Sequence, residues 1–212
     1  MKNIRRIVSV LMVTIFAISM AGCAFSKSGV HNDAIKAAKG YGIEEVGSRT
    51  ELIRATSSLT KEGSAYLVAI DSEEATKFYA TYFNTRKRLP DVDAENCLII
   101  TIRENGDAGM HACSVYSIEF KNKDDARDVF DQYSKEVMSS SRIKDKDQGD
   151  KNNYSYAIAY ERSSSTIIRG MYLEGKSITY VQANSYREET NAFADYFLRK
   201  MGYISPTELI GN

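Results

Sequence analysis

The chain has 212 residues, with 28 basic side chains balanced by 28 acidic ones, which gives no electrostatic argument for nucleic acid or for an anionic membrane surface as a partner. Charged residues at 26% and apolar residues at 43% are ordinary proportions for a globular protein. The first six residues, "MKNIRR", carry Lys2, Arg5 and Arg6 and no acid. An apolar run of about 14 residues follows, from Ile7 to Met20, against the ~20 needed to cross a bilayer as a helix. A basic start, a short apolar middle and small residues at the end make a secretory signal rather than a membrane span. The run closes on Met20-Ala21-Gly22-Cys23.

That tetrapeptide resembles the lipobox of bacterial lipoproteins, which reads Leu, then Ala or Ser, then Gly or Ala, then Cys. Met20 stands where Leu is usual. The resemblance implies that the Cys23 thiol receives a diacylglyceryl group and that cleavage falls between Gly22 and Cys23. Residues 1–22 are then the signal peptide and 23–32 a lipidated cysteine with a polar tether that contains His31. Residues 33–212 form a single mildly acidic domain. Each buried methylene contributes about 0.8 kcal/mol, and one acyl chain holds only marginally, so two chains on one cysteine suit stable anchoring. The expected location is the outer face of a cytoplasmic membrane, or the outer membrane if the cell is Gram-negative. In general make-up the mature part is similar to small uncharacterised surface lipoproteins of Gram-positive bacteria.

The domain opens with two short helices, at about 33–39 and 49–58. Gly40 stops the first, and Ser48 with Glu51 forms a capping box for the second. Three similar segments follow: "YLVAIDSEEATKFYATYF", "YSIEFKNKDDARDVFDQYS" and "YVQANSYREETNAFADYF". Each is an extended run leading into a helix. Asp71, Asn122 and Ser185 stand at the N-caps, and Glu74, Asp125 and Glu188 stand three residues on. Aromatic pairs at i, i+3 (Tyr79 and Tyr82, Phe130 and Tyr133, Phe193 and Tyr196) give each helix one apolar face. With the strands between them the order reads β-α-β-β-α-β-β-β-α. The fold class expected is α+β, a mainly antiparallel sheet with helices on one face. Its first six elements match a ferredoxin-like βαββαβ core, and the last three form a C-terminal ββα extension. The charged stretches 84–96 and 141–153 read as solvated loops.

Cys97 and Cys113 lie on two strands that flank a turn. Leu98, Ile100 and Ile102 alternate on one strand, and Met110, Ala112, Tyr116, Ile118 and Phe120 on the other. Pairing even with even through a three-residue Glu104-Asn105-Gly106 loop sets Cys97 opposite Cys113 on the outer face. They are a candidate disulfide, which an exported domain permits. Free thiols are the alternative. A metal site that adds His111 is weaker still, since zinc wants three or four ligands.

Catalytic signals are sparse. There is no His-Glu-x-x-His, no Gly-x-Ser-x-Gly, no phosphate-binding glycine loop and no dinucleotide fingerprint. Ser58-Leu59-Thr60-Lys61 and Ser141-Arg142-Ile143-Lys144 fit Ser-x-x-Lys without its partner motifs. Asp91, Asp93 and Glu95, and again Asp145, Asp147 and Asp150, have spacing that can hold calcium, but Gly149 breaks the EF-hand pattern. They read as solvated acids. Arg86, Lys87 and Arg88 suit a helix end. Tyr154, Tyr156, Ile158 and Tyr160 line one face of a strand. Covered by a helix they are core, and bare they are an aromatic binding face, with Tyr154, Tyr156 and Tyr160 as its contact residues. The expected function is a membrane-anchored, extracytoplasmic, non-catalytic binding module for a protein, peptide or envelope ligand, without cofactor, metal or nucleic acid. The alternatives are an envelope hydrolase using loop carboxylates and an accessory subunit of a membrane complex.

Overall fold

The computed structural model describes residues 29–57, 64–84, 89–106, 109–162, 164–185 and 192–210. The lipobox with Cys23, the start of the tether, Ser58 to Lys61 and Arg86 to Arg88 lie outside them, as do Glu188 of the third cap and the side chain of His111. The elements run α1 (Gly29–Gly40), β1 (Glu44–Glu45), α2 (Arg49–Ser57), β2 (Ser64–Asp71), α3 (Ser72–Phe78), β3 (Ala94–Gly106), β4 (Gly109–Phe120), α4 (Lys123–Val137), β5 (Ile143–Lys151), β6 (Tyr154–Arg162), β7 (Thr166–Glu174), β8 (Ser177–Ser185) and α5 (Ala192–Lys200). A π-helical turn, Tyr79–Phe83, extends α3, and a 3-10 turn, Pro206–Leu209, closes the described chain.

Local signals place the helix starts. The Ser48 hydroxyl accepts the Glu51 N–H at 3.2 Å, and the Glu51 carboxylate accepts the Gly47 N–H at 2.8 Å. The Asn122 side chain accepts the Asp125 N–H at 2.8 Å at the head of α4. Asp71 precedes α3 with extended backbone but makes no side-chain cap bond. α1 begins at Gly29 and buries His31, so the helix takes in residues the sequence assigns to the tether.

The α+β class holds. Eight strands form one sheet in the order β1-β2-β3-β4-β8-β7-β6-β5. Every neighbouring pair is antiparallel except β1 with β2. The ferredoxin-like order is not formed. The split βαβ unit needs a strand between those that flank its helix, whereas β2 and β3, on either side of α3, pair directly. Two meanders meet at β4 and β8, registered from Ala112↔Asn184 to Glu119↔Ser177.

Helices cover both faces, not one. α1 and α5 pack with Leu98, Ile100, Ile102, Val115, Tyr172 and Val181 on one side. α2, α3 and α4 pack with Val68, Ile99, Ile118, Met171 and Tyr180 on the other. A sheet buried on both faces carries apolar residues in both parities, so parity does not fix the β3–β4 register. Gly106 pairs with Gly109 and Ile102 with Cys113. Cys97 pairs with Ile118 and faces the core under α2, α3 and α4, while Cys113 faces the opposite core. Neither thiol is in a disulfide and both are buried, so the predicted disulfide is replaced by two cysteines on opposite sides of the sheet. Burial pushes the Cys97 thiol far above its usual range, so its thiolate is scarce at neutral pH. A thiol reagent at pH 8 is expected to label neither residue in the folded chain and both in denaturant. An intramolecular Cys97–Cys113 crosslink would contradict this register.

The charged stretch 141–153 is not a loop. Most of it is β5, an edge strand. The Asp145 and Asp147 carboxylates accept the next residues' N–H groups, of Lys146 and Gln148, both at 2.8 Å. Charge on an edge, with backbone donors already occupied, blocks the addition of another strand.

Candidate functional site

The π-helical turn after α3 sets one wall of a cleft. The Asn84 N–H bonds the Tyr79 carbonyl, five residues back, at 2.7 Å. This widened turn buries Tyr79 and Phe83 and turns Tyr82 to the surface. The Tyr79 hydroxyl donates to the Pro90 carbonyl at 2.7 Å and ties the turn to the coil before β3. Arg49 of α2 lies over the Tyr82 ring, 3.6 Å from its centroid.

The opposite wall is the end of α4 and the segment after it, with Tyr133, Glu136, Val137, Ser139, Ser140 and Arg142. The floor is the sheet. Tyr116 of β4 pairs with Tyr180 of β8, and Gln182 of β8 pairs with Arg169 of β7, so all four share one face. The cleft is open to solvent and has a volume of about 530 Å³.

Phe83 is the hub beneath it, with ring centroids 5.0 Å from Tyr133, 5.9 Å from Tyr180 and 6.2 Å from Tyr116. The Tyr180 hydroxyl donates to the Gln182 Oε1 at 2.7 Å, and the Tyr133 ring lies 5.2 Å from that of Tyr180. Beneath the arginines lies Glu161 of β6, its side chain 3% exposed. Its Oε1 accepts from Arg169 Nη1, and its Oε2 lies 3.8 Å from Arg142 Nε with no hydrogen-bond partner among the described residues.

Burial is the first cause of raised pKa values for Tyr79, Tyr116, Tyr133, Tyr172, Tyr180 and Tyr203. Tyr156 is pushed up to about 12, chiefly by donating to Asp147. An unfolded tyrosine titrates near ~10. Above that pH the unfolded chain therefore releases phenolic protons that the folded chain retains. The stabilisation is complete below pH ~10 and falls as the pH rises through 10 to 12 and beyond. The part of the tyrosinate absorbance at 295 nm that comes from the buried tyrosines is expected to rise in one cooperative step together with loss of far-ultraviolet ellipticity. A gradual titration of that part near pH 10 with the ellipticity intact would contradict it.

The other sequence candidates lie elsewhere. Tyr154 and Tyr160 are core, on the face opposite the cleft. Residues after α5 cover this strip: the Tyr154 hydroxyl accepts the Ile204 N–H at 3.0 Å, and its ring lies 4.8 Å from Tyr203. Tyr156 is half-buried and donates to Asp147 at 2.8 Å. The three therefore form no bare aromatic face. Asp93 pairs with Lys121 at 2.6 Å, Glu95 pairs with Lys176, and Asp150 accepts from Ser155 at 2.5 Å. Among the described residues no group of three or more His, Cys, Asp or Glu is placed to hold a metal ion. From Ser141-Arg142-Ile143-Lys144 it is Arg142, neither the serine nor the lysine, that lines the cleft. Sequence reasoning passed over Tyr116, Tyr180, Gln182, Glu161 and Arg169. The available signal was Arg169, a lone charge inside the apolar strand "TIIRGMYL".

No family model matches this chain, and no curated protein matches it. Solved structures to which the chain is distantly similar include two from mycobacteria. The extracellular domain of PknH from Mycobacterium tuberculosis has 13% identity and a TM-score of 0.39, covering 73% of this chain and 91% of that one. A putative uncharacterised protein from Mycobacterium smegmatis has 10% identity and a TM-score of 0.33, covering 73% and 97%. At this distance the likeness carries nothing about ligand or activity. Among the described residues no helix is long and apolar enough to cross a membrane.

Proposed function

We propose that the protein is an extracytoplasmic lipoprotein, anchored through Cys23, whose domain is a non-catalytic module that binds an envelope ligand in the cleft between α3 and α4. The observation that carries this reading is the cleft itself, an aromatic-walled cavity on which a few polar groups converge from three strands and one helix end. Its two serines are engaged with backbone rather than with a base. The Ser139 hydroxyl donates to the Glu136 carbonyl at 3.0 Å, and the Ser140 hydroxyl accepts the Arg142 N–H at 3.3 Å. The loop carboxylates that a hydrolase would need are drawn into ion pairs and backbone bonds outside the cleft. The lipobox residues supply the anchor.

The test is thermal stabilisation of the detergent-solubilised full chain by fractions of a cell-envelope extract. Ser139→Trp, at an exposed position on the cleft wall, serves as the blocked control. Stabilisation of the wild type that Ser139→Trp loses supports the reading. Stabilisation of both alike, or of neither, sinks it. Mass analysis of the N-terminal peptide, with Cys23→Ser as control, tests the anchor separately.

A further inference from the structure

We infer that the cleft recognises a carboxylate next to an N–H group, as an amino acid or the C-terminal end of a peptide presents it. The inference rests on the ligand-binding reading of this cleft and assigns its chemistry. Polar groups on the floor are mainly donors. Arg169 gives Nη1 to Glu161 and keeps the rest of its guanidinium for the cleft. Arg142 approaches the same carboxylate only to 3.8 Å and is otherwise open to solvent. Gln182 has its oxygen occupied by Tyr180, so its amide N–H group is what it offers. Tyr116 adds a phenolic hydroxyl, which can donate as well as accept.

Charge then narrows the class. Two guanidiniums, Arg169 on the floor and Arg142 on the wall beside it, flank one buried carboxylate, which leaves that corner of the cleft one positive charge in excess. A single carboxylate would neutralise that excess, and the planar arginine fork suits its geometry. A phosphate dianion would overshoot it. At the rim the signs reverse: Glu136 and the C-terminal end of α4 offer negative charge. A ligand that places an ammonium or amide N–H beside its carboxylate matches both. The buried Glu161 Oε2 has no hydrogen bond among the described residues, and Arg142 Nε stays 3.8 Å from it, so the Arg142 guanidinium is only loosely held by the protein itself.

The experiment follows the ring-proton shifts of Tyr116 and Tyr180 in the detergent-solubilised full chain. The probes are a pool of tripeptides with free C-termini, the same pool amidated at the C-terminus, free alanine, inorganic phosphate and maltotriose. Saturable shifts with the free-acid pool, weakened at least tenfold by amidation, are expected. Alanine binding as tightly as the pool would assign an amino acid, and weaker alanine binding a peptide end. Gln182→Glu keeps an acceptor for Tyr180 but turns the donor into a repelling carboxylate, and is expected to weaken binding at least tenfold. Arg142→Ala, at a solvent-exposed position, is expected to do the same. Equal binding of acid and amide, preference for phosphate or maltotriose, wild-type affinity in both variants, or no shift with any probe would overturn the inference. If envelope fractions still stabilise the chain in a cleft-dependent way, the broader binding reading survives that failure. Without such stabilisation, both fall.

Discussion

Replacing Phe83 with alanine is expected to cost about 3–5 kcal/mol of folding stability, the range for removing a buried aromatic side chain. Phe83 is 1% exposed and touches the rings of Tyr79, Tyr116, Tyr133 and Tyr180. Each favourable ring pair adds about 0.5–1.5 kcal/mol beyond area burial, so several partners lose a contact at once. The void would open directly beneath the cleft, and it could close only by moving rings that also form the cleft floor. A Phe83→Leu variant fills most of the volume and should lose markedly less. Urea unfolding read at two wavelengths measures both, with an unchanged slope showing that the unfolded state is the same. In heat the alanine variant should melt lower by about 2–4 °C per kcal/mol lost. A loss below about 1 kcal/mol would mean that the aromatic cluster repacks without its centre.

The features legible in the sequence were those set by short-range chemistry. Ser48 with Glu51, and Asn122 with Asp125, mark helix starts because the cap and its partner lie three residues apart. The α+β class followed from the same local alternation of runs. Strand order did not, because β3 and β4 carry apolar side chains on both faces and such strands accept many neighbours. The assumption of one polar face produced the wrong Cys97–Cys113 pairing. β5 was hidden for the opposite reason: nearly all of it is charged or polar, and its strand character comes from pairing with β6 alone. The cleft was least legible. Tyr116 meets Tyr180, and Arg169 meets Gln182, only through the β4–β8–β7 order, which no local pattern encodes.

The Glu161–Arg169 pair should behave as one unit. Glu161→Ala is expected to destabilise the fold by about 3 kcal/mol, because it strands a guanidinium that is 20% exposed without its counter-charge. Arg169→Met should cost at least as much, since it leaves the more deeply buried carboxylate unpaired. The double variant Glu161→Leu, Arg169→Met removes both charges and keeps similar volume. It is expected to return to within about 1 kcal/mol of the wild type, because the desolvation cost of the two ions disappears with their attraction. Arg142→Ala should change stability by less than about 1 kcal/mol, as its contact at 3.8 Å is long and the arginine side chain is 66% exposed. Denaturant melts of the wild type, Glu161→Leu, Arg169→Met and the double variant form a cycle whose coupling is then the property of the pair. If stability is restored in the double variant while tripeptide binding is lost, the two charges are held in the fold for what the cleft binds. If the double variant is as unstable as Glu161→Ala, the pair supports the β6–β7 packing itself, and the binding argument must rest on Arg142, Gln182 and Tyr116.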